Sequence, residues 1–279
     1  MLRTRIITAL VLLALLLPAL FAASPLPFAL LTLAMIAAAG WEWGKLNGLG
    51  QGAALALGAA VALACAAALS GLGLQAAPGW VWWLVGGLWV LGGARALSLG
   101  PTGWPRLPRA LRLALGVLLL WAAWLALAQA RARGINFLLS VFCLVWMADI
   151  AAYFCGKAFG RRKLAPAISP GKSWEGAIGG LLGVLLLAVL WARFIDARVA
   201  VDSVSLYQLL LKGQVLPVAL LALVFLGAMS VVGDLFESLV KRAVGAKDSS
   251  ALLPGHGGVL DRIDALLPVL PLAMAISSL

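Results

Sequence analysis

Apolar residues run through this chain in long blocks. Nearly uninterrupted apolar segments occupy about 6–23, 26–40, 52–70, 79–98, 110–130, 135–154, 174–194, 214–233 and 265–279, separated by short polar stretches. Most approach the ~20 residues an α-helix needs to cross ~30 Å of hydrocarbon. No polar stretch is long enough to enclose a soluble core. The pattern predicts an all-α, polytopic integral membrane protein with about nine transmembrane helices. The 26–40 and 265–279 segments are short, and Pro268 and Pro271 predict a kinked or partial crossing for the last.

Composition reinforces this picture. The chain is 64% hydrophobic and 11% charged, against about 25% charged in a typical soluble domain. Abundant Gly and Ala suit close helix packing in lipid, and twelve Trp suit interfacial anchoring. The first block follows Arg3 and Arg5 as a signal peptide would, but its apolar part is long and further spans follow, so it reads as span one. Cys65, Cys143 and Cys155 sit in or beside apolar runs without CxxC spacing and read as small buried hydrophobes.

The formal charge of +11 would suit nucleic acid, but its distribution points elsewhere. With the N-terminus in the cytoplasm, alternate loops leave only Arg131, Arg133, Arg193, Arg198 and Lys212 on the far side, and the other sixteen of 21 basic residues on the cytoplasmic side. That is the positive-inside signal of a membrane protein, so no nucleic-acid partner is expected. The same count puts the two polar clusters, 149–175 and 234–264, on the cytoplasmic face, where a soluble co-substrate would be met.

Five of the ten acidic residues and the only histidine fall in 234–264. Asp234, Glu237, Asp248, Asp261 and Asp264 are hard oxygen donors suited to a cation, while Lys241, Arg242, Lys247 and Arg262 suit phosphate oxygens. Asp261 and Asp264 stand three apart, so on a helix their carboxylates share a face. Asp234 and Ser238 are one helical turn apart. Pro254, Gly255, Gly257 and Gly258 break helix and let the backbone approach an anion, with His256 among them as a phosphate donor or a loop stabiliser.

Upstream, Asp149 near the end of an apolar run is an intramembrane acid and a functional candidate by that position, unless it lies at the interface paired with Lys157. Arg161, Arg162 and Lys163 read mainly as topological retention and attraction to anionic lipids. In SPGKSWEG, Ser173 is placed to cap the following helix and Lys172 stands beside that helix N-terminus, an anion-binding arrangement. Gly171-Lys172-Ser173 resembles the end of a P-loop but lacks the upstream glycine spacing and the βαβ context.

Ser238, Lys241, Arg242, Lys247, Asp248, Pro254, His256, Gly257, Gly258, Asp261, Arg262 and Asp264 together give the chain a family likeness: it resembles the phosphatidate cytidylyltransferases, also called CDP-diacylglycerol synthases. Asp149, Ala152, Tyr153 and the SPGKSWEG block are similar to that family too, whereas Ile150 departs from the small or hydroxylated residue expected there. Residues 1–130 carry no matching motif and read as N-terminal transmembrane helices, with 131–279 as the catalytic region of one functional unit. The resemblance implies a homodimeric enzyme of the bacterial inner membrane, its site cytoplasmic, that takes CTP and phosphatidate and gives CDP-diacylglycerol and pyrophosphate. It also implies Mg²⁺ and a second cation, K⁺ or Mg²⁺, held around Asp234, Asp261 and Asp264, with Asp248 a lesser candidate. Asp234, Asp261, Asp264, Lys241 and Arg242 are then the expected catalytic residues, and Lys172, Ser173, Ser238, Lys247, Arg262 and His256 the expected phosphate-binding set. The competing readings are a transporter or flippase for an anionic substrate, which predicts polar residues through the membrane depth, and another membrane transferase, such as a polyprenol kinase or a CDP-alcohol phosphotransferase. The DGxxAR-type pattern of the CDP-alcohol phosphotransferases is absent.

Overall fold

The structure, a computed structural model, describes residues 2–73 and 77–278. The apolar blocks form helices α1 (Leu2–Phe21), α2 (Leu26–Leu46), α3 (Gln51–Leu72), α4 (Gly79–Gly103), α5 (Arg109–Arg133) and α6 (Ile135–Phe159). A short antiparallel hairpin, β1 (Lys163–Ala165) and β2 (Ser169–Ser173), follows, with Lys163 opposite Ser173 and Ala165 opposite Ser169. Then come α7 (Trp174–Leu190), the short α8 (Asp196–Arg198), α9 (Leu206–Gly213), α10 (Leu216–Ala243), α11 (Leu260–Ile263) and α12 (Leu266–Ile276).

Among the described residues, eight helices are long and apolar enough to cross a membrane, the seventh being α7 continued through a π turn and α8 to Arg198. The expected ninth crossing is α12, and it is much shorter than a span. Its residues are almost all buried, so it lies inside the bundle rather than in lipid. A carbonyl of Asp264 and the Cα of Ala265 press on Gly233 of α10, where a Cβ would come within 2.4 Å and 3.0 Å of them. At its other end Arg133 donates to Ser277 at 2.5 Å, and Ser278 lies against Gly79 at the start of α4. Helix α10 runs ten residues beyond Gly233, about 15 Å at 1.5 Å per residue. The last helix is short because it starts that far below the end of α10. The 26–40 block is a full span to Leu46, which carries Glu42 into the protein interior.

Five of the twelve tryptophans, Trp43, Trp82, Trp89, Trp104 and Trp124, fill the core instead of anchoring an interface. Phe236 of α10 stacks on Trp43 and meets Trp89 and Trp104 edge-on, locking α2 and α4 to α10. Helices α6 and α7 meet through small residues: a Cβ on Gly176, Gly179, Gly180 or Gly183 would fall within 2.8 Å of Ala152, Cys155, Ala148 or Ala151 respectively. On the face away from the hairpin, Asp202 accepts from the backbone N–H groups of Ile135 and Asn136 and so caps α6.

Candidate functional site

Helical spacing puts Asp149, Ala152, Tyr153, Gly156 and Lys157 on one face of α6, and this face walls a cavity of about 580 Å³. The hairpin contributes Leu164, Ser169, Gly171, Lys172 and Ser173, the start of α7 Gly176 and Ala177, and α10 Val231 and Asp234. Ser173 caps α7 by accepting from the Gly176 N–H at 3.1 Å. Glu175 folds the basic run back onto the hairpin, accepting from the backbone N–H of Arg161 and Arg162 and from the Arg162 side chain.

Across the cavity Lys172 pairs with Asp234 at 2.7 Å. The Ser238 hydroxyl donates to Asp234 at 3.3 Å, one turn further along α10. Asp264 stands beside Asp234 through the backbone contact at Gly233 and accepts from the Ala265 N–H. Burial first, then the negative charges of Asp234 and Asp149, push the Asp264 carboxyl up to about 7. A buried acid facing two others with one lysine between them lacks positive charge.

Lys241 lies two turns beyond Asp234 and turns away from the cavity. It is buried between Glu237 at 2.5 Å and Asp261 at 2.6 Å. Asp261 accepts at its other oxygen from the Ser249 N–H and hydroxyl and from the Gly258 N–H, at 2.7–2.9 Å. In this structure Oδ1 of Asp261 is thus engaged by Lys241 and Oδ2 by the 249–258 loop. Burial alone would raise its carboxyl, but these bonds, Lys241 first, hold it at about 2. Relative to an ordinary value of 3.8, a depressed carboxylate adds stability that is present above about pH 4 and lost as pH falls towards 2. Asp261→Asn should accordingly remove that part of the acid-unfolding profile, read by tryptophan fluorescence between pH 5 and 2.

The other expected residues lie outside the cavity wall. Arg242 donates to the Ala246 carbonyl, and Lys247 and Asp248 are exposed on the loop. His256 is half-buried, its backbone N–H donating to the Leu253 carbonyl. Arg262 is exposed at the edge of an apolar groove of about 180 Å³ among α1, α2, α5, α6 and α12. Geometry explains the division, since Arg242 is eight residues past Asp234, about 12 Å along the helix.

Glu42 escaped the motif reading. It is fully buried on α2 and takes four hydrogen bonds from 249–260. An acid within an apolar helix was its only local signal.

Among the described residues no three carboxylate, thiol or imidazole groups converge as a preformed metal cluster. Asp234 and Asp264 nonetheless fit Mg²⁺. That ion is commonly held by one or two carboxylates with substrate phosphate and water completing its shell, and a cation would relieve the repulsion at Asp264. Asp261, which is held by Lys241 and the loop, and Asp248, which is exposed, stand apart from this pair.

A family model described as the cytidylyltransferase family matches residues 3–279. A phosphatidate cytidylyltransferase from Pseudomonas aeruginosa is 41% identical over 286 residues, covering 99% of this chain and 97% of that protein. One from Haemophilus influenzae is 50% identical over 140 residues, 50% of this chain and 44% of that protein. One from Brucella suis is 38% identical over 211 residues, 68% of each.

Proposed function

Since the chain belongs to the cytidylyltransferase family, we infer that it is the membrane enzyme that transfers the cytidylyl group of CTP to phosphatidate, giving CDP-diacylglycerol and pyrophosphate. One observation carries this reading beyond the family match. In a bundle of apolar helices, a polar cavity holds Lys157 and Lys172 against Asp149 and Asp234, with Asp264 adjoining.

The chemistry explains these residue types. A phosphate oxygen of phosphatidate attacks the α-phosphorus of CTP, the bond from that phosphorus to the β-phosphate oxygen breaks, and pyrophosphate departs. The nucleophile is already ionised, so no general base is required. The task is to bring anion to anion in line and to neutralise the charge that moves onto pyrophosphate. Lys172 and Lys157 supply cationic donors at the cavity, and Ser173 and Ser238 supply hydroxyls. Mg²⁺, which Asp234 and Asp264 would hold with Asp149 nearby, supplies charge neutralisation for the phosphates when bound. The cavity borders the lipid-facing side of α6, where Ile150, Tyr153 and Phe154 are exposed and Tyr153 also lines it. A lipid head group can therefore enter with its acyl chains still in the bilayer.

The Mg²⁺ requirement, a cytoplasmic site in the bacterial inner membrane and a homodimer belong to this proposal. The orientation is supported by the basic residues that crowd the loops on the site's side. The deciding assay is transfer of label from α-³²P-CTP into organic-extractable lipid by purified protein given phosphatidate. Label should appear with Mg²⁺ and vanish with EDTA. No label from folded protein across cations and lipids would sink the enzyme reading, and label insensitive to EDTA would sink the metal.

A further inference from the structure

Glu42 is the only acidic residue before Asp149 and is fully buried. Burying a carboxylate in an apolar helix is costly unless donors surround it, and here all four come from one distant segment. Oε1 accepts from the Ser250 hydroxyl at 2.6 Å and the Val259 N–H at 2.9 Å. Oε2 accepts from the Leu260 N–H at 2.7 Å and the Ser249 hydroxyl at 3.1 Å. The middle of the same loop meets α1, where the Thr8 hydroxyl donates to the Pro254 carbonyl at 3.0 Å.

Asp261 grips the same two places from inside, through Ser249 and Gly258, so two carboxylates close one loop. Between them the loop is pinned by Leu253 N–H to the Gly257 carbonyl and His256 N–H to the Leu253 carbonyl, both 2.8 Å. The fit leaves no room for a side chain. A Cβ on Gly258 would lie 2.3 Å from Glu42 Oε1 and 2.0 Å from the Ser249 hydroxyl.

The connection to the cavity is one helical turn long. Glu42 holds the Leu260 N–H, and the Leu260 carbonyl accepts from the Asp264 N–H at 3.0 Å. Fixing the Leu260 peptide therefore fixes where the Asp264 carboxylate stands relative to Asp234.

We propose that Glu42 is a positioning residue for this reaction. From α2 it fixes the 258–260 turn and, through the Leu260 peptide, sets the Asp264 carboxylate beside Asp234. The proposal rests on the assignment of Asp234 and Asp264 to catalysis.

Glu42→Gln keeps the size of the side chain and replaces one acceptor with an NH₂ that cannot accept from a backbone N–H. In purified full-length protein, kcat should fall at least about tenfold, because small displacements of reacting groups are costly in rate, while KM for CTP stays within about threefold. Amide hydrogen exchange should rise in peptides covering 258–264 and stay unchanged in α4 and α5. Ser250→Ala leaves the carboxylate and both backbone donors to it in place while removing the hydroxyl that also accepts from the Leu252 N–H. It should show a milder version of both effects and serves if Glu42→Gln does not fold. Asp264→Asn run alongside should lose activity without the exchange change. Wild-type kcat in Glu42→Gln with Asp264→Asn inactive would overturn the role of Glu42 alone. So would an exchange rise spread over the whole bundle. An active Asp264→Asn would instead overturn the site assignment on which the role depends.

Discussion

Asp264→Asn is expected to lower turnover at least about a hundredfold, equivalent to about 2.7 kcal/mol of transition-state stabilisation. The substitution keeps the shape of the side chain and the acceptor that takes the Ala265 N–H, so the change is one of charge. In the folded protein that charge is buried and repelled by Asp234 and Asp149. Removing it should leave the melting temperature of metal-free protein unchanged or higher, since the wild type holds the acid at a cost in stability that function justifies. A rate collapse without a fall in melting temperature separates a site role from a packing role. Near-normal turnover in the variant would remove Asp264 from the mechanism.

Gly180→Val should be a severely damaging packing change near the site. Its Cβ alone would come within 2.6 Å of the Ala148 carbonyl oxygen, and a backbone oxygen in the middle of a helix has nowhere to go. Forcing α6 and α7 apart should cost about 3 kcal/mol or more. It should also separate Asp149 on α6 from Lys172 and Ser173 just ahead of α7, so activity is lost with stability. Gly171→Ala, on the hairpin with nothing within 4 Å of its Cβ, is the matched control and should leave the melting temperature within about 1 °C. Equal melting temperatures for the two variants would show that the α6–α7 seam tolerates a gap.

Hydropathy revealed the helices because lipid demands long apolar segments and little else in this chain competes with that signal. The short C-terminal helix was harder to read. An apolar segment that crosses inside protein from a recessed level has the composition of a span but not its length, and its start depends on how deep α10 and the 264–265 turn meet. The β hairpin at 163–173 was missed because so few residues form it, and its strands are stabilised by Glu175 and the Ser173 cap more than by any alternating pattern. The Ser173 cap itself was legible, since hydroxyls before a helix satisfy its open N–H groups locally.

The candidate site was legible in its residue types but not in its grouping. Motif spacing put Asp234, Lys241, Asp261 and Asp264 together, whereas the fold divides them. Asp234 lines the cavity with Asp149 and Lys172, and Asp264 adjoins it, while Lys241 and Asp261 brace the loop. Glu42 could not have been assigned its loop from sequence, because its partners lie 207–218 residues away.

That separation bears on how the protein is made. Helix α2 enters the membrane early, yet its carboxylate has no loop to hold until the ribosome has added those further 207–218 residues, roughly 10–45 s of synthesis at ordinary rates. Until then Glu42 sits in a helix hairpin without its native donors, and the six spanning helices after α2 must be inserted around it. Release of the C-terminal segment is therefore the step that satisfies the buried acid and brings Asp264 beside Asp234. A nascent chain arrested before Val259 would carry α2 in the membrane with Glu42 lacking both of its backbone donors.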